Sequence, residues 1–293
     1  MSEQTDTRPP HRGLKKGLYV IPTLFTAGNV GMGFLAVISS IRGYHASFVD
    51  PQLAAHYFNV AALGIGLAIL FDTLDGRVAR ATRTATEIGV QFDSLADVLT
   101  FGIAPTSLIY AWAFGGVFEE KAAPHYLGTF LLFMFLMCGA FRLARFNLQA
   151  TRPRVLAEGS QKVDKRYFVG CPIPPAGGLL ASLVHFAPMP LSSLGEKTAQ
   201  FYAYALMALV AVLGILMVSK IRYFSFKSAG NGKQGFFIVL AIAAFATAVY
   251  LYSEYALLAV SGAYVGHGII LWIFRALFLR SSQTNDDDVG ETA

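Results

Sequence analysis

Charge is what this sequence has least of. Asp, Glu, Lys and Arg make up 14% of its 293 residues while 55% are hydrophobic, against about 25% charged in an ordinary soluble domain. That shortage excludes a water-soluble globular chain. Cysteine is nearly absent too. Cys138 and Cys171 are the only two; they lie in or beside apolar stretches without metal-ligand spacing, which excludes a disulfide framework and a zinc site. Both read as packing residues. Missing as well are the short runs of alternating polarity that a membrane β-barrel needs. There is no internal repeat, and so no sign of the paired, interrupted helices of many transporters. The formal charge of +5 is that of a membrane face attracted to anionic head groups, which leaves no nucleic-acid partner to expect.

What the chain does have is long apolar runs rich in Ala, Leu, Gly and Phe. Windows of about 20 such residues cross the roughly 30 Å hydrocarbon core as helices. The runs fall near 19–41, 55–79, 92–115, 125–147, 172–191, 199–219, 234–252 and 256–278, so the expected fold is an all-α integral membrane bundle of about eight transmembrane helices. One polytopic membrane domain, 18–280, then accounts for nearly everything, between a polar segment at 1–17 and a disordered acidic tail, SSQTNDDDVGETA, at 281–293. The first run is too long for a secretory signal peptide and lacks a cleavage site, so it reads as a retained anchor. With the N-terminus in the cytoplasm, the outer connections hold only Arg42, Lys121 and Lys197 of the 23 basic residues. Positive-inside counting therefore places both termini in the cytoplasm. Tyr and Trp near span ends, Trp112 and Trp272 among them, read as interface anchors, and Ser261, His267 and the glycines of the last span as packing residues.

Four aspartates interrupt this pattern. Asp72 and Asp75 stand three apart near the end of the second run, and Asp93 and Asp97 four apart at the start of the third. One Asp at the centre of a spanning helix costs about 2.5–3.5 kcal/mol, so all four need a compensating partner. Those spacings put each pair on one helical face. The link from Arg83 to Gly89 is short, so the two helices should be antiparallel neighbours with all four carboxylates at one depth, just inside the cytoplasmic surface. Facing acidic pairs make a divalent-cation site, and oxygen ligands with no His or Cys nearby suit Mg²⁺ or Mn²⁺. Since Mg²⁺ usually keeps open positions for phosphate oxygens, a phosphorylated ligand is implied. Gly76, Ala79 and Gly89 permit close approach of a helix or ligand to the backbone. Arg77, Arg80 and Arg83 offer forks that match phosphate oxygens. The alternative for Arg77 and Arg83 is a purely topogenic role, whereas Arg80 stands inside the motif. Structural salt bridges between the acids and these arginines are the plainer reading, but there are four acids against three bases.

The string Asp72-x-x-Asp75-Gly76-x-x-Ala79-Arg80, followed by eight residues to Gly89, three to Asp93 and three to Asp97, resembles the signature of the CDP-alcohol phosphatidyltransferases at every fixed position. That resemblance implies displacement of CMP from a CDP-linked lipid by an alcohol, inside a helical bundle open to the cytoplasm. It implies that Asp72, Asp75 and Asp93 hold a pair of Mg²⁺ or Mn²⁺ ions, with Asp97 as a further ligand or as the base that takes the acceptor's proton. Gly76, Ala79, Arg80 and Gly89 would lie along the CDP-lipid. Asn29 would contact the cytidine, or else simply join two helices through its amide.

Further stretches resemble the membrane-type phosphatidylserine synthases of that family: IPTLFTAGN at 21–29, FDSLADVLTFGIAP at 92–105, FRLARFN at 141–147, VGCPIPPAGG at 169–178 and VSKIRYFSFK at 218–227. Thr23, Cys171 and Pro175 depart from that pattern. The resemblance implies CDP-diacylglycerol and L-serine as substrates, phosphatidylserine and CMP as products, a bacterial inner membrane and a homodimer. A serine carboxylate needs a cation, and Arg142 and Arg145, with Asn147 beside them, can supply one. Snorkelling is the alternative for these arginines. Glycerol 3-phosphate, inositol phosphate or choline as acceptor is the nearest rival, and the modest charge of this region argues against a phosphorylated one. A divalent-cation transporter would want its acids near the midplane on a continuous polar path, whereas these stand at one edge beside arginines that would repel a cation.

Overall fold

Backbone that crosses hydrocarbon must satisfy its own hydrogen bonds, and apolar runs of this length do so as helices. The structure is a computed structural model and describes residues 12–82, 87–151, 167–219, 221–224 and 252–270. Arg83, most of the expected N-terminal segment, the run at 234–252 up to its last residue and the acidic tail lie outside the described residues. Two long helices open the fold, α1 (Arg12–Ser47) and α2 (Pro51–Thr82). A composite third crossing follows: α3 (Glu87–Asp97), a π-helical segment Val98–Ile103, α4 (Ala104–Ile109), a second π segment Tyr110–Phe114 and α5 (Gly115–Val117). Then come α6 (Ala123–Thr151), α7 (Ile173–Phe186), α8 (Glu196–Val218) and a helix over 252–270, α9. Five described stretches are long and apolar enough to cross a membrane: Thr23–Ser47, Pro51–Val78, Ile88–Val117, Ala123–Leu148 and Glu196–Val218. The chain is an integral membrane helical bundle.

Within the run expected at 172–191, the α-helix is shorter, 14 residues. Pro188 and Pro190 follow it closely, and a proline cannot continue a helix or let its predecessor stay helical easily. A single 3₁₀ turn, Leu191–Ser193, begins where the expected run ends. The last expected run, 256–278, is helical as far as 270, beyond which the residues are not described.

α1 and α2 form a hairpin packed along most of its length. Its turn is set by Asp50, whose carboxylate accepts the backbone N–H groups of Gln52 and Leu53 at 3.0 and 3.1 Å and so caps α2. Because lipid tails are as apolar as the side chains, helices associate here through close packing. Ala36, Ala54, Ala61, Ala62 and Ala68 are buried in the core. Gly64 would bring a Cβ to 3.3 Å from the Met32 carbonyl. Phe58, Phe101, Phe114 and Phe135 fill the interior, while Phe34, Leu70, Phe130 and Ile215 point outward, where the solvent is hydrocarbon. Polar contacts tie α9 to α7, and α7 in turn to α2. The ring nitrogens of His185 meet Asn59 Oδ1 and Ser253 Oγ, and Ser182 and Ser261 meet at 2.9 Å.

Two short strands that the apolar pattern does not announce, β1 (Tyr167–Val169) and β2 (Arg222–Phe224), pair antiparallel with Phe168 opposite Tyr223. The ribbon lies against the end of α8. Gly170 donates its N–H to the Ile221 carbonyl at 2.8 Å, and Cys171 donates to that of Leu216 at 3.0 Å.

Candidate functional site

The site is built where α2 ends and α3 begins. Asp72 and Asp75 occupy the last turns of α2, and Asp93 and Asp97 the second half of α3, with only residues 83–86 between the helices. Carboxylate oxygens of Asp72, Asp93 and Asp97 all lie within 4.8 Å of one another. At that separation two ionised carboxylates repel by about 3 kcal/mol at an effective dielectric of about 20. Asp75 is placed differently. Its carboxylate is buried and accepts a hydrogen bond from the Thr26 hydroxyl of α1, yet it stays within electrostatic reach of Asp93 and Asp97. The four acids therefore gather at one end of the bundle as three plus one.

The donor set fits a hard divalent cation. It consists of carboxylate oxygens, and three of them converge closely enough to share an ion. Asp97 supplies an independent sign: it is 8% exposed and its Oδ1 is buried with no hydrogen-bond partner among the described residues. A buried carboxylate oxygen left bare costs more than any uncharged group, so it calls for a proton donor or a cation.

Around the acids stand the other residues singled out in the sequence. Gly76 follows Asp75 in α2 and Gly89 lies in the first turn of α3. Arg77 is exposed. Ala79 and Arg80 belong to the last turns of α2, but their side chains lie outside what is described. Asn29 is fully buried in α1, one turn past Thr26, and neither end of its side-chain amide has a partner among the described residues. Its backbone carbonyl is held by the Thr100 hydroxyl at 3.3 Å, from the first π segment. Leaving a buried amide unsatisfied costs about 1–3 kcal/mol for each group, which is a reason to look for a ligand at that point.

Arg142 and Arg145 project from α6, one turn apart. Arg142 is 8% exposed and its Nε is buried without a hydrogen-bond partner among the described residues. The charges of Asp97 and Arg145 lie within electrostatic reach of it, as do the neutral side chains of Cys171 and Tyr264. Arg145 is half-buried. Asn147 reaches α3: its amide nitrogen donates to Ser94 Oγ at 2.9 Å and to Gln91 Oε1 at 3.3 Å. Of the residues expected at the acceptor, Arg142 lies within electrostatic reach of Asp97, while Asn147 ties α6 to the helix carrying Asp93 and Asp97. Burial pushes the Cys171 thiol up to about 12, which makes it unreactive.

Thr26, Ser94 and Tyr264 are the neighbours that sequence reasoning missed. Thr26 lies within IPTLFTAGN, a stretch noticed for its resemblance, but nothing local says that its hydroxyl meets a carboxylate 49 positions away. Ser94 directly follows Asp93, and Tyr264 is one of 13 tyrosines with no motif around it.

A family model described as CDP-alcohol phosphatidyltransferase matches residues 19–216. Among curated proteins, the chain is 32% identical to a CDP-diacylglycerol–serine O-phosphatidyltransferase of Helicobacter pylori over 257 residues, covering 88% of this chain and 92% of that one. It is 29% identical to a protein of the same name from Bacillus subtilis over 217 residues, 73% of this chain and 97% of that one. An archaetidylserine synthase of Methanothermobacter thermautotrophicus is 31% identical over 207 residues, 69% of each chain.

Proposed function

The chain belongs to the CDP-alcohol phosphatidyltransferase family, and on that footing we propose that it transfers the phosphatidyl group of CDP-diacylglycerol to the hydroxyl of L-serine, releasing CMP. The relatives named above carry serine in their names although their lipids differ, which favours that acceptor. The observation that carries the reading is the convergence of Asp72, Asp93 and Asp97 within 4.8 Å beside the buried Arg142.

The chemistry divides among these residues as follows. The serine oxygen attacks the lipid phosphorus, the bond from that phosphorus to the CMP oxygen breaks, and CMP leaves with the bonding pair. Asp97 is assigned the serine proton, since its Oδ1 has no other donor among the described residues. Asn29, whose buried amide offers both a donor and an acceptor, is assigned to the donor's nucleotide, along with Gly76, Ala79, Arg80 and Gly89. Arg142, with Arg145 beside it, is assigned to the acceptor's carboxylate, where a guanidinium makes a charge-assisted pair. Asn147 positions α6 through Ser94 and Gln91. One or two Mg²⁺ or Mn²⁺ ions held by Asp72, Asp75, Asp93 and Asp97 would neutralise the pyrophosphate and stabilise the departing CMP.

The reading includes a site on the cytoplasmic face of an inner membrane, from the bias of basic residues, and a homodimer, from the family resemblance. Its test is CMP release by the purified protein in detergent, with CDP-diacylglycerol and Mg²⁺ or Mn²⁺, across serine, glycerol 3-phosphate, inositol phosphate and choline. Release with serine alone, abolished by chelation and reduced at least about 100-fold in a folded Asp93→Asn variant, is expected. Release with another alcohol in place of serine would overturn the acceptor, and full activity of Asp93→Asn would overturn the metal site.

A further inference from the structure

A hydroxyl on a membrane helix commonly bonds back to its own backbone, since hydrocarbon offers no other acceptor. Ser40, Thr73, Thr106 and Thr129 all do so, each to the carbonyl four residues earlier. Thr100 differs. It is fully buried in the first π segment, and its hydroxyl crosses to α1 and donates to the Asn29 carbonyl at 3.3 Å.

The backbone makes that reach possible in two ways. Gly33 stands one turn past Asn29 on α1, and a Cβ there would lie 2.6 Å from Thr100 Oγ1 and 3.0 Å from Thr100 Cα. The missing side chain is the gap through which Thr100 approaches. The π segment supplies the rest, because its widened turn re-aims the residues that follow Asp97. The contact also lies among the supports of the acids. Thr26, three residues before Asn29 and so on the same face of α1, bonds Asp75, while Thr100 stands three residues past Asp97. Within about one turn, α1 is pinned to α2 and to the third crossing, the two elements that carry the acids.

That pinned turn carries the Asn29 amide, fully buried with neither Oδ1 nor Nδ2 partnered among the described residues. Resting on the reading that sets Asn29 at the nucleotide, we propose that Thr100 is a positioning residue for CDP-diacylglycerol: its hydroxyl, admitted by Gly33, fixes the turn of α1 from which the Asn29 amide meets the nucleotide. An amide binds with direction, its donor and acceptor held at fixed angles to each other, so a small rotation of α1 weakens both bonds together. Thr100 acts through the Asn29 backbone, and its effect belongs to the nucleotide and not to the acceptor.

The experiment uses the full-length protein in detergent and reads the KM for CDP-diacylglycerol, the KM for serine and the inhibition constant of free CMP, which carries the nucleotide without the lipid. Thr100→Val keeps the branched shape and removes the hydroxyl. We expect it to raise the CDP-diacylglycerol KM and the CMP inhibition constant about fivefold and to leave the serine KM unchanged, with Thr100→Ser restoring both constants. Gly33→Ala pushes the hydroxyl off from the other side and should shift the same two constants, so it carries the test should Thr100→Val fail to fold. Positioning through Asn29 also demands non-additivity. Asn29→Ala keeps the backbone carbonyl and removes the amide, so Thr100→Val should change neither constant further in that background, whereas a general packing defect would. Unchanged constants in a folded Thr100→Val, serine and CDP-lipid KM values rising together, or an effect that persists in Asn29→Ala overturns the inference and leaves serine transfer standing. Wild-type CMP inhibition in Asn29→Ala overturns the nucleotide assignment of Asn29 and the inference with it. A wild-type protein that uses another alcohol instead of serine overturns the acceptor alone, and the same constants are then read with that alcohol.

Discussion

A carboxylate at a membrane edge persists only with a partner, and the four acids here have different ones. Asp72, Asp93 and Asp97 face one another, while Asp75 is held by Thr26 from α1. That makes Thr26 a positioning residue: it fixes one acid at the depth where the other three converge. Thr26→Val keeps the shape and removes the donor, leaving a buried carboxylate short of a hydrogen bond. The expected result is a 10- to 100-fold higher concentration of Mg²⁺ or Mn²⁺ for half-maximal CMP release, roughly the scale for groups that support metal ligands, and near-normal behaviour in Thr26→Ser. No shift in the metal titration would mean that Asp75 is held without Thr26. The acids themselves were legible because the whole signature lies in 26 contiguous residues whose chemistry is peculiar in an apolar context. Thr26 was not, since its role arises only when α1 packs against α2. Asn147 shows the same limit: nothing in the local sequence announces that its amide meets Ser94 and Gln91 of α3.

Long apolar runs announce helices because hydrocarbon leaves the backbone no alternative, and the five longest described crossings fall where the runs do. Features that depend on neighbouring elements were not visible in the same way. The third crossing looks continuous in sequence, yet it contains π segments at Val98–Ile103 and Tyr110–Phe114, each of which re-aims the side chains that follow. The first of them begins immediately after Asp97 and carries Thr100 to the Asn29 carbonyl. The ribbon is a second case, because three-residue strands 50 or more positions apart carry no periodicity of their own. Its weak point is Gly170, at φ +83°, where a Cβ would sit 2.3 Å from the Met217 carbonyl. That backbone conformation costs a non-glycine residue about 1–2 kcal/mol, and the collision adds to it. Gly170→Ala should therefore lower the melting temperature in detergent by at least about 4 °C. A variant that melts with the wild type would show that the ribbon does not hold the end of α8.

At the scale of the whole molecule, the acids at one end of the bundle and the scarcity of basic residues at the other make a claim about sidedness. Arg42, Lys121 and Lys197 are the basic residues assigned to outer connections, and Lys197 begins α8 with an exposed side chain. Ile88, 83% exposed at the start of α3, marks the acidic end. The native thiols interfere little with labelling, because Cys171 is buried with its thiol pushed up to about 12 and Cys138 lies within the α6 crossing. A membrane-impermeant maleimide should then modify Lys197→Cys in intact, outer-membrane-permeabilised bacterial cells and spare Ile88→Cys, with the preference reversed in inside-out vesicles. The energetic reason is that loops rich in Lys and Arg stay in the cytoplasm during insertion, where anionic lipids add about 1 kcal/mol per basic residue near the surface. Labelling of Ile88→Cys from the outside would invert the bundle. Asp72, Asp93 and Asp97 would then face the exterior, and the cytoplasmic location of the transfer site would fail even with the chemistry intact.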